Sequence, residues 1–432
     1  MCLGRKEDLK KLIKMRKHTR VIRCFHPVGH GAFFSEQFFD SEESCFNVVY
    51  DCGIKHFPMN RLQEEADFAI GKSGRQHVDF LFISHLDEDH VNGIEYLIKQ
   101  KYVDDQTSFV LPLYKDYHLK IYEHFEGKSI LSIFEVIGKT ESKSIFYVPL
   151  TESEDDDRRG DDENGQSRIN MEEGLPETSE NKVEVNGLPG RVIPRGSVFT
   201  FKEIWEYIPF NLHDSTSEDF FKAIDNSKIL NIADMLDVEA IFKNKCHHIT
   251  KKSTAEQIDA TKKYRELKRI YDSVGKSVNG DRRININSLA VISQAVNEVK
   301  VRIAYVDLEE MIAEGYFRNY CYGHIIQGYG ACTYTGDLNL SQDADFDLFE
   351  KKVKKALRGE TRYHLLQIPH HGSNTSYNKR FCGGLSRVCF VNFNSEKGIF
   401  DEKIAFDFFC ARKTLIPVTE IESSRYVWEC WV

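Results

Sequence analysis

The stretch Ser84-His85-Leu86-Asp87-Glu88-Asp89-His90 offers four potential metal ligands, His85, Asp87, Asp89 and His90, within six residues. It follows VDFLFI (78–83), an apolar run expected for a strand buried on both faces, and it precedes VNGIEYLIKQ (91–100), whose apolar residues recur at helical spacing. A rigid strand end can hold such a loop while alternate side chains converge on one spot, with His85, Asp87 and Asp89 on one side and His90 brought beside them by the turn into the helix. Imidazole nitrogen with carboxylate oxygen is a ligand set for Zn, Mn or Fe, and not the thiolate set of a structural zinc site.

Two later motifs repeat the pattern. Thr335-Gly336-Asp337 puts a carboxylate at the end of the strand ACTYT (331–335), and Pro369-His370-His371-Gly372-Ser373 puts two imidazoles after LLQI (365–368). Buried charges need partners or metals, and strand-end Asp and His from separate segments are how dinuclear sites are assembled. A carboxylate at Asp337 could bridge two ions about 3.5–4 Å apart, with a shared water as nucleophile.

The elements that must position these motifs are strands and helices mixed along the chain. TRVIRCF (19–25), FNVVY (46–50), INSLAVI (286–292) and VCFVNF (388–393) read as strands, SVFTFKEIWEYIP (197–209) as a strand pair or a strand entering a loop, and 345–358 as a basic helix. PVGHGAFFSEQF carries a tight turn at Gly29 and Gly31. Residues 226–278 read as mostly helical, best in TAEQIDATKKYRELKRIYDSV, where Ile258, Tyr264, Leu267 and Tyr271 share a face.

The 432 residues are 41% hydrophobic and 29% charged, which excludes global disorder. No run approaches the roughly 18 apolar residues of a membrane span, and the N-terminus has no apolar stretch of a secretory signal. The eleven cysteines include no C-x-x-C pair, as expected of reduced thiols in a cytoplasmic protein. The formal charge of −9 is uneven: residues 1–23 carry a net +7 and residues 152–184 a net −9. The acidic stretch is too poor in apolar residues to offset its ordering entropy, so 151–190 reads as a flexible insertion.

The ordered set VGHGAFF, VVYDCG, ISHLDEDHVNG, NSLAV, TGDLNL and IPHHGSNTS resembles the metallo-β-lactamase superfamily, and within it the metallohydrolase domain of ComEC-type DNA-uptake proteins. The resemblance implies an α/β fold, a four-layer αββα sandwich, whose halves occupy 1–150 and 283–432 with core strands in 191–225 and a helical insertion at 226–282. It implies two divalent ions, Zn or Mn with Mg possible. His85 and Asp87 would serve one, Asp89 and His90 the other, and Asp337 would bridge. One of His370 and His371 would ligate metal and the other would meet the scissile phosphate or leaving group; His370 is taken as the ligand and His371, with Asp89, as catalytic. Asp51 would orient the first loop by hydrogen bonds, Ser373 and Asn374 would contact substrate, and Asn287 and Ser288 stand where many members have a further His ligand, which makes one site more oxygen-rich. Carboxylates in place of imidazoles shift preference from Zn toward Mn or Mg.

The implied activity is metal-dependent phosphodiester hydrolysis, in DNA or RNA or in a small phosphodiester; a partner-gated binding module is the alternative, and the PHHGS motif argues against a β-lactam substrate. Partners are then a nucleic acid and a protein docking on the insertions, with no membrane. The acidic residue of the family's VGxGD turn is Ala32 here, and the membrane channel of full-length ComEC proteins has no counterpart. His30 reads as a loop histidine without a metal role, Cys246-His247-His248 as ordinary residues, and His213 as a distant possibility for the site. Lys351, Lys352, Lys354, Lys355 and Arg358 read as a solvated face that would contact phosphates if turned to the cleft.

Overall fold

The computed structural model describes residues 19–432 except 41–42, 72–74, 127–131, 143, 152–166, 175–180, 213–214, 231–236, 244–249, 251–252, 275–287, 298, 303–324, 358–363 and 397–399. Asn287, His213, Cys246-His247-His248, Arg358 and the basic segment up to residue 18 lie outside the described residues.

The strands are β1 (Arg20–Phe25), β2 (Phe33–Asp40), β3 (Glu43–Cys52), β4 (Phe80–Phe82), β5 (Ser108–Pro112), β6 (Ile145–Val148) and β7 (Arg168–Asn170). They continue with β8 (Lys182–Val185), β9 (Leu188–Val192), β10 (Val198–Phe201), β11 (Trp205–Leu212), β12 (Ser288–Ala295) and β13 (Val299–Arg302). Last come β14 (Ile325–Gly328), β15 (Cys332–Tyr334), β16 (Leu365–Gln367), β17 (Val388–Asn392), β18 (Thr414–Val418) and β19 (Tyr426–Trp431). They form two mixed sheets, an eleven-stranded one in the order β14-β13-β19-β1-β2-β3-β4-β5-β6-β9-β8 and an eight-stranded one in the order β18-β17-β16-β15-β12-β11-β10-β7. In the larger, β3 through β6 run parallel, and in the smaller, β15 through β18 do. The mixed α/β class is the one expected from the sequence.

Alternation explains why the central strands are apolar throughout. Phe80 and Phe82 of β4 join Val48 and Tyr50 of β3 and Leu289 and Val291 of β12 in a core between the sheets. Leu81 and Val49 face the other way, into a core with Leu62, Ala66, Ile94, Leu97, Leu119 and Ile133 from the helices Met59–Ala66, Ile94–Lys99, Asp116–Glu126 and Ser132–Gly138. Ala290 and Ile292 likewise pack beneath Phe346, Phe349 and Val353 of the helix Asp343–Ala356 and Ile404 and Phe408 of the helix Glu402–Cys410. Burial of one large apolar side chain contributes about 1.5–3 kcal/mol, so the three cores together hold the layers. A fourth, smaller core joins the helices Ser215–Asp225, Val238–Lys243 and Ala255–Val274 to Ile121 of the helix Asp116–Glu126.

Four expectations need correction. Helical structure begins at Ser215, inside the segment 191–225 assigned to core strands. The supposedly flexible 151–190 contains β7, β8 and the start of β9, because Ile169, Val185 and Leu188 are apolar enough to be buried. The Gly-rich turn is followed at once by β2, whose Phe33, Phe34 and Phe38 are fully buried. Residues 299–302 and 325–328, given no element in the sequence reading, form β13 and β14, which extend the larger sheet beside β19. The basic helix Asp343–Ala356 buries Phe346, Phe349 and Val353, and Lys354 pairs with Glu350 on its exposed side.

Candidate metal centre

Both sheets send strand ends to one place. After β4 the chain runs through Ser84 and His85 and turns into a short helix, Glu88–Val91, with Asp87 at its N-cap. Against the Asp89–His90 backbone lies the turn after β3, where a Cβ on Gly53 would sit 2.3 Å from the carbonyl carbon of Asp89 and 2.4 Å from the nitrogen of His90. Only glycine allows that approach. It lets the Gly-rich loop join in: the Ala32 amide donates to the Asp89 carbonyl (3.0 Å), Gly53 to Ala32 (2.9 Å) and Lys55 to His30 (2.7 Å). His30 is thereby held over Asp89.

The smaller sheet supplies the rest. Gly336, at φ +54°, turns the chain after β15, and a Cβ there would lie 2.5 Å from Ser288 Oγ and 2.6 Å from Ser84 Cβ. The Asp337 amide is 3.3 Å from Ser288 Oγ, so Ser288 steadies this turn. After β16, His370 and His371 both take positive φ, 49° and 53°, a strained conformation for residues with side chains. The His370 amide donates to the Gly336 carbonyl at 3.1 Å, which locks the two turns together.

Two buried groups result, each with two imidazoles and one carboxylate whose ligand atoms all lie within 4.8 Å of one another: His85, His90 and Asp337, and His30, Asp89 and His371. In the first, Asp337 Oδ1 is 3.1 Å from His90 Nε2 and Asp337 Oδ2 is 3.6 Å from His85 Nε2. In the second, Asp89 Oδ2 is 3.0 Å from His30 Nε2 and 3.4 Å from His371 Nε2. His371 Nε2 also lies 3.8 Å from Asp337 Oδ1, so the groups adjoin. Two donors on a tetrahedral zinc with bonds near 2.0–2.1 Å are about 3.3 Å apart, the middle of this range. The Nε2 atoms of His85, His90 and His371 are buried without a hydrogen bond of good geometry among the described residues. Ring nitrogens converging on two carboxylates are a donor set that a cation would complete. The residues present therefore fit a divalent metal.

Their orientation is set from behind. Asp51, at φ 54° and fully buried, accepts from the Ser84 amide (2.7 Å), from Ser84 Oγ (2.6 Å) and from His90 Nδ1 (2.8 Å). His371 Nδ1 donates to the Asn392 carbonyl at 3.1 Å. With an ion bound, both contacts would leave Nε2 as the lone-pair nitrogen toward it. Burial pulls His30 down to about 4, against its hydrogen bond with Asp89, so this ring is neutral at pH 7. Burial and the neighbouring His90 also lower His85. Burial would lower His90 too, but the Asp337 and Asp51 carboxylates outweigh it and hold that ring well above its ordinary value. Asp89 and Asp337 stay far below the usual carboxylate range despite burial, held there by the surrounding imidazoles.

The structure regroups the expected ligands. His85 stands with His90, their rings 4.0 Å apart, and not with Asp87; Asp89 stands with His371 and not with His90. Asp337 belongs to the first group and comes within 3.8 Å of His371 of the second. Asp87 is in neither group: its Oδ1 accepts from the Tyr122 hydroxyl at 3.0 Å. His371 takes the ligand position assigned to His370, whose Nδ1 meets Ser376 Oγ at 2.8 Å and whose Nε2 is 3.8 Å from Asp337. Asp51 makes the orienting bonds expected of it. Ser373 is buried with its Oγ on Thr375 Oγ1, and Asn374 is exposed on the same turn. His30 was read as a bystander; its signal lay in the Gly-x-Gly frame, which marks a close backbone approach. His56, whose ring lies edge-on to His30 at 5.2 Å, and Tyr122 carried no sequence signal.

No protein-family model matches the chain, and no curated protein matches it. No helix among the described residues is long and apolar enough to cross a membrane.

Proposed function

We propose that the chain is a metal-dependent phosphodiesterase with a metallo-β-lactamase-type αββα fold, acting on nucleic acid at the His/Asp cluster. One observation carries the reading: two adjoining groups of two imidazoles and one carboxylate, assembled from the ends of both sheets. The ordered motifs and the helix layers outside each sheet support the same assignment. Two divalent ions, when bound, supply Lewis acidity toward a phosphoryl oxygen and lower the pKa of water.

The chain's own groups do the rest. His85, His90 and Asp337 would hold one ion, and Asp89 and His371 belong to the second position. Asp51 keeps the proton of His90 on Nδ1, and the Asn392 carbonyl keeps that of His371 on Nδ1. His370, steadied by Ser376 beside the cluster, would contact the scissile phosphate or the leaving group. Ser373 and Asn374 continue that rim.

Purified protein with Zn or Mn should hydrolyse bis(p-nitrophenyl) phosphate and degrade DNA or RNA, and Asp89→Ala with His90→Ala should abolish both. Equal turnover by the variant and wild type would refute the proposal. Hydrolysis of the small diester with no effect of competing polynucleotide would move the substrate to a small phosphodiester.

A further inference from the structure

His30 and Asp87 compete for one role, a third donor for the ion beside Asp89 and His371. The family resemblance nominates Asp87 as a metal ligand, there beside His85 and not beside Asp89. The geometry does not: Asp87 Oδ1 is engaged by Tyr122 on the helix Asp116–Glu126, which is anchored by Leu119 in the helix-covered core and by Ile121 in the helical-insertion core. Asp87 also lies outside both ligand groups.

His30 satisfies each requirement that Asp87 misses. It is 5% exposed, its Nε2 lies 3.0 Å from Asp89 Oδ2, and its ring packs 4.3 Å from that of His371. Its backbone is clamped, since Lys55 donates to its carbonyl and the next residue, Gly31, would place a Cβ 2.3 Å from the Gly53 carbonyl. A side chain on so fixed a loop is held in place before any ion arrives.

We infer that His30, and not Asp87, completes the second metal position, so that the two positions carry identical donor sets of two imidazoles and one carboxylate. The inference rests on reading the cluster as a metal centre, and it deepens that reading by naming the class of metal. With Asp87 the centre would hold three imidazoles and three carboxylates; with His30 it holds four and two. Imidazole-rich sites select zinc-class ions, whereas carboxylate-rich ones suit Mn and Mg. The oxygen-rich, Mn- or Mg-leaning centre expected from the sequence is therefore replaced by a zinc-type one.

The test is metal stoichiometry and affinity on the full chain, stripped with chelator and titrated with Zn(II), and separately with Mn(II), by calorimetry and elemental analysis. Wild type should take two Zn(II) per chain and prefer Zn(II) over Mn(II) at both positions. His30→Ala and the bulkier His30→Gln should each keep one tight ion and weaken the second by at least about 10-fold. Asp87→Asn should keep two. Co(II) substitution gives a second readout, since loss of an imidazole changes the visible absorption of one ion only. Two ions of wild-type affinity in a folded His30→Gln, or loss of one in Asp87→Asn, overturns the inference and leaves the metal centre standing. A wild-type chain that binds no Zn(II) or Co(II) overturns the metal-centre reading and the inference with it.

Discussion

Asp51→Asn separates orientation from ligation. The carboxylate accepts three hydrogen bonds, two from Ser84 and one from His90 Nδ1. In the variant, Asn Oδ1 can still accept from the Ser84 amide, so the turn keeps its main support. The amide nitrogen replaces Oδ2, which now faces His90 Nδ1 at 2.8 Å, and two donors cannot share that contact. The ring is relieved by moving its proton to Nε2, the atom 3.1 Å from Asp337 Oδ1. One of the three donors of the first group is then blocked. Loss of such an orienting contact weakens a metal site about 10- to 100-fold, or about 1.4–2.7 kcal/mol. Competition between the protein and a chromophoric chelator for Zn(II) measures this directly, with a melting curve to confirm the fold. Affinity within about twofold of wild type would refute the claim that Asp51 sets the His90 tautomer.

Two further outcomes test the scaffold. Glu36, buried between the sheets, accepts from Arg23 Nε (2.7 Å), Tyr207 (2.7 Å), Ser293 (2.6 Å) and Tyr334 (2.8 Å), so Glu36→Gln should cost about 3–5 kcal/mol in urea unfolding by stranding the Arg23 charge. Adding Arg23→Met should cost less than the two single changes summed, and strict additivity would argue against coupling. Glu65 is raised by burial, but hydrogen bonds from His26 and Arg425 pull it down to about 2 from 4.5. A depressed carboxylate stabilises the fold above its unfolded pKa and loses that contribution as pH falls through the folded one. The stability gap between wild type and Glu65→Gln, at most about 3 kcal/mol, should be full above pH 5 and close toward pH 2. A gap that is flat with pH would count against this ion pair.

The strand-end logic was readable because it depends on short spacing. An apolar β4 had to end near Ile83, and the polar residues that follow, together with Asp337 and the two histidines after β16, had to gather where strands of both sheets finish. Which residues stand together in each group was not readable. Placing His85, Asp87 and Asp89 on one side assumed an extended chain with alternating side chains, and the pairing came from the family resemblance. The helix starting at Glu88 changes the period from 2 to 3.6, so His90 swings beside His85 while Asp87 meets Tyr122. The choice between His370 and His371 depends on two successive positive φ values that no propensity forecasts. His30 reaches the cluster through a glycine approach between two loops, a long-range contact invisible to any local window. The acidic composition of 151–190 likewise hid the few apolar residues that build β7 and β8.

The Arg23–Glu36 network is an internal control for the cluster. Both sit between the sheets, and both draw polar groups from each: Arg23 and Glu36 from β1 and β2, with Tyr207, Ser293 and Tyr334 from β11, β12 and β15. There the chain completes every contact itself, down to Arg23 donating to the Gly330 carbonyl and stacking on Trp428 at 4.6 Å. A few strands away, the same two sheets bring together His85, His90 and His371 and bury their Nε2 atoms against the Asp89 and Asp337 carboxylates, with no hydrogen bond of good geometry to any of them among the described residues. An ion between the imidazoles and carboxylates would complete the second junction. Each ligand group takes two donors from the larger sheet's side and one from the smaller's, so an ion there would also fasten the sheets to each other. Metal binding and folding stability are then one linked quantity, and a chelator should lower the melting temperature of the wild-type chain by more than that of the His30 variants.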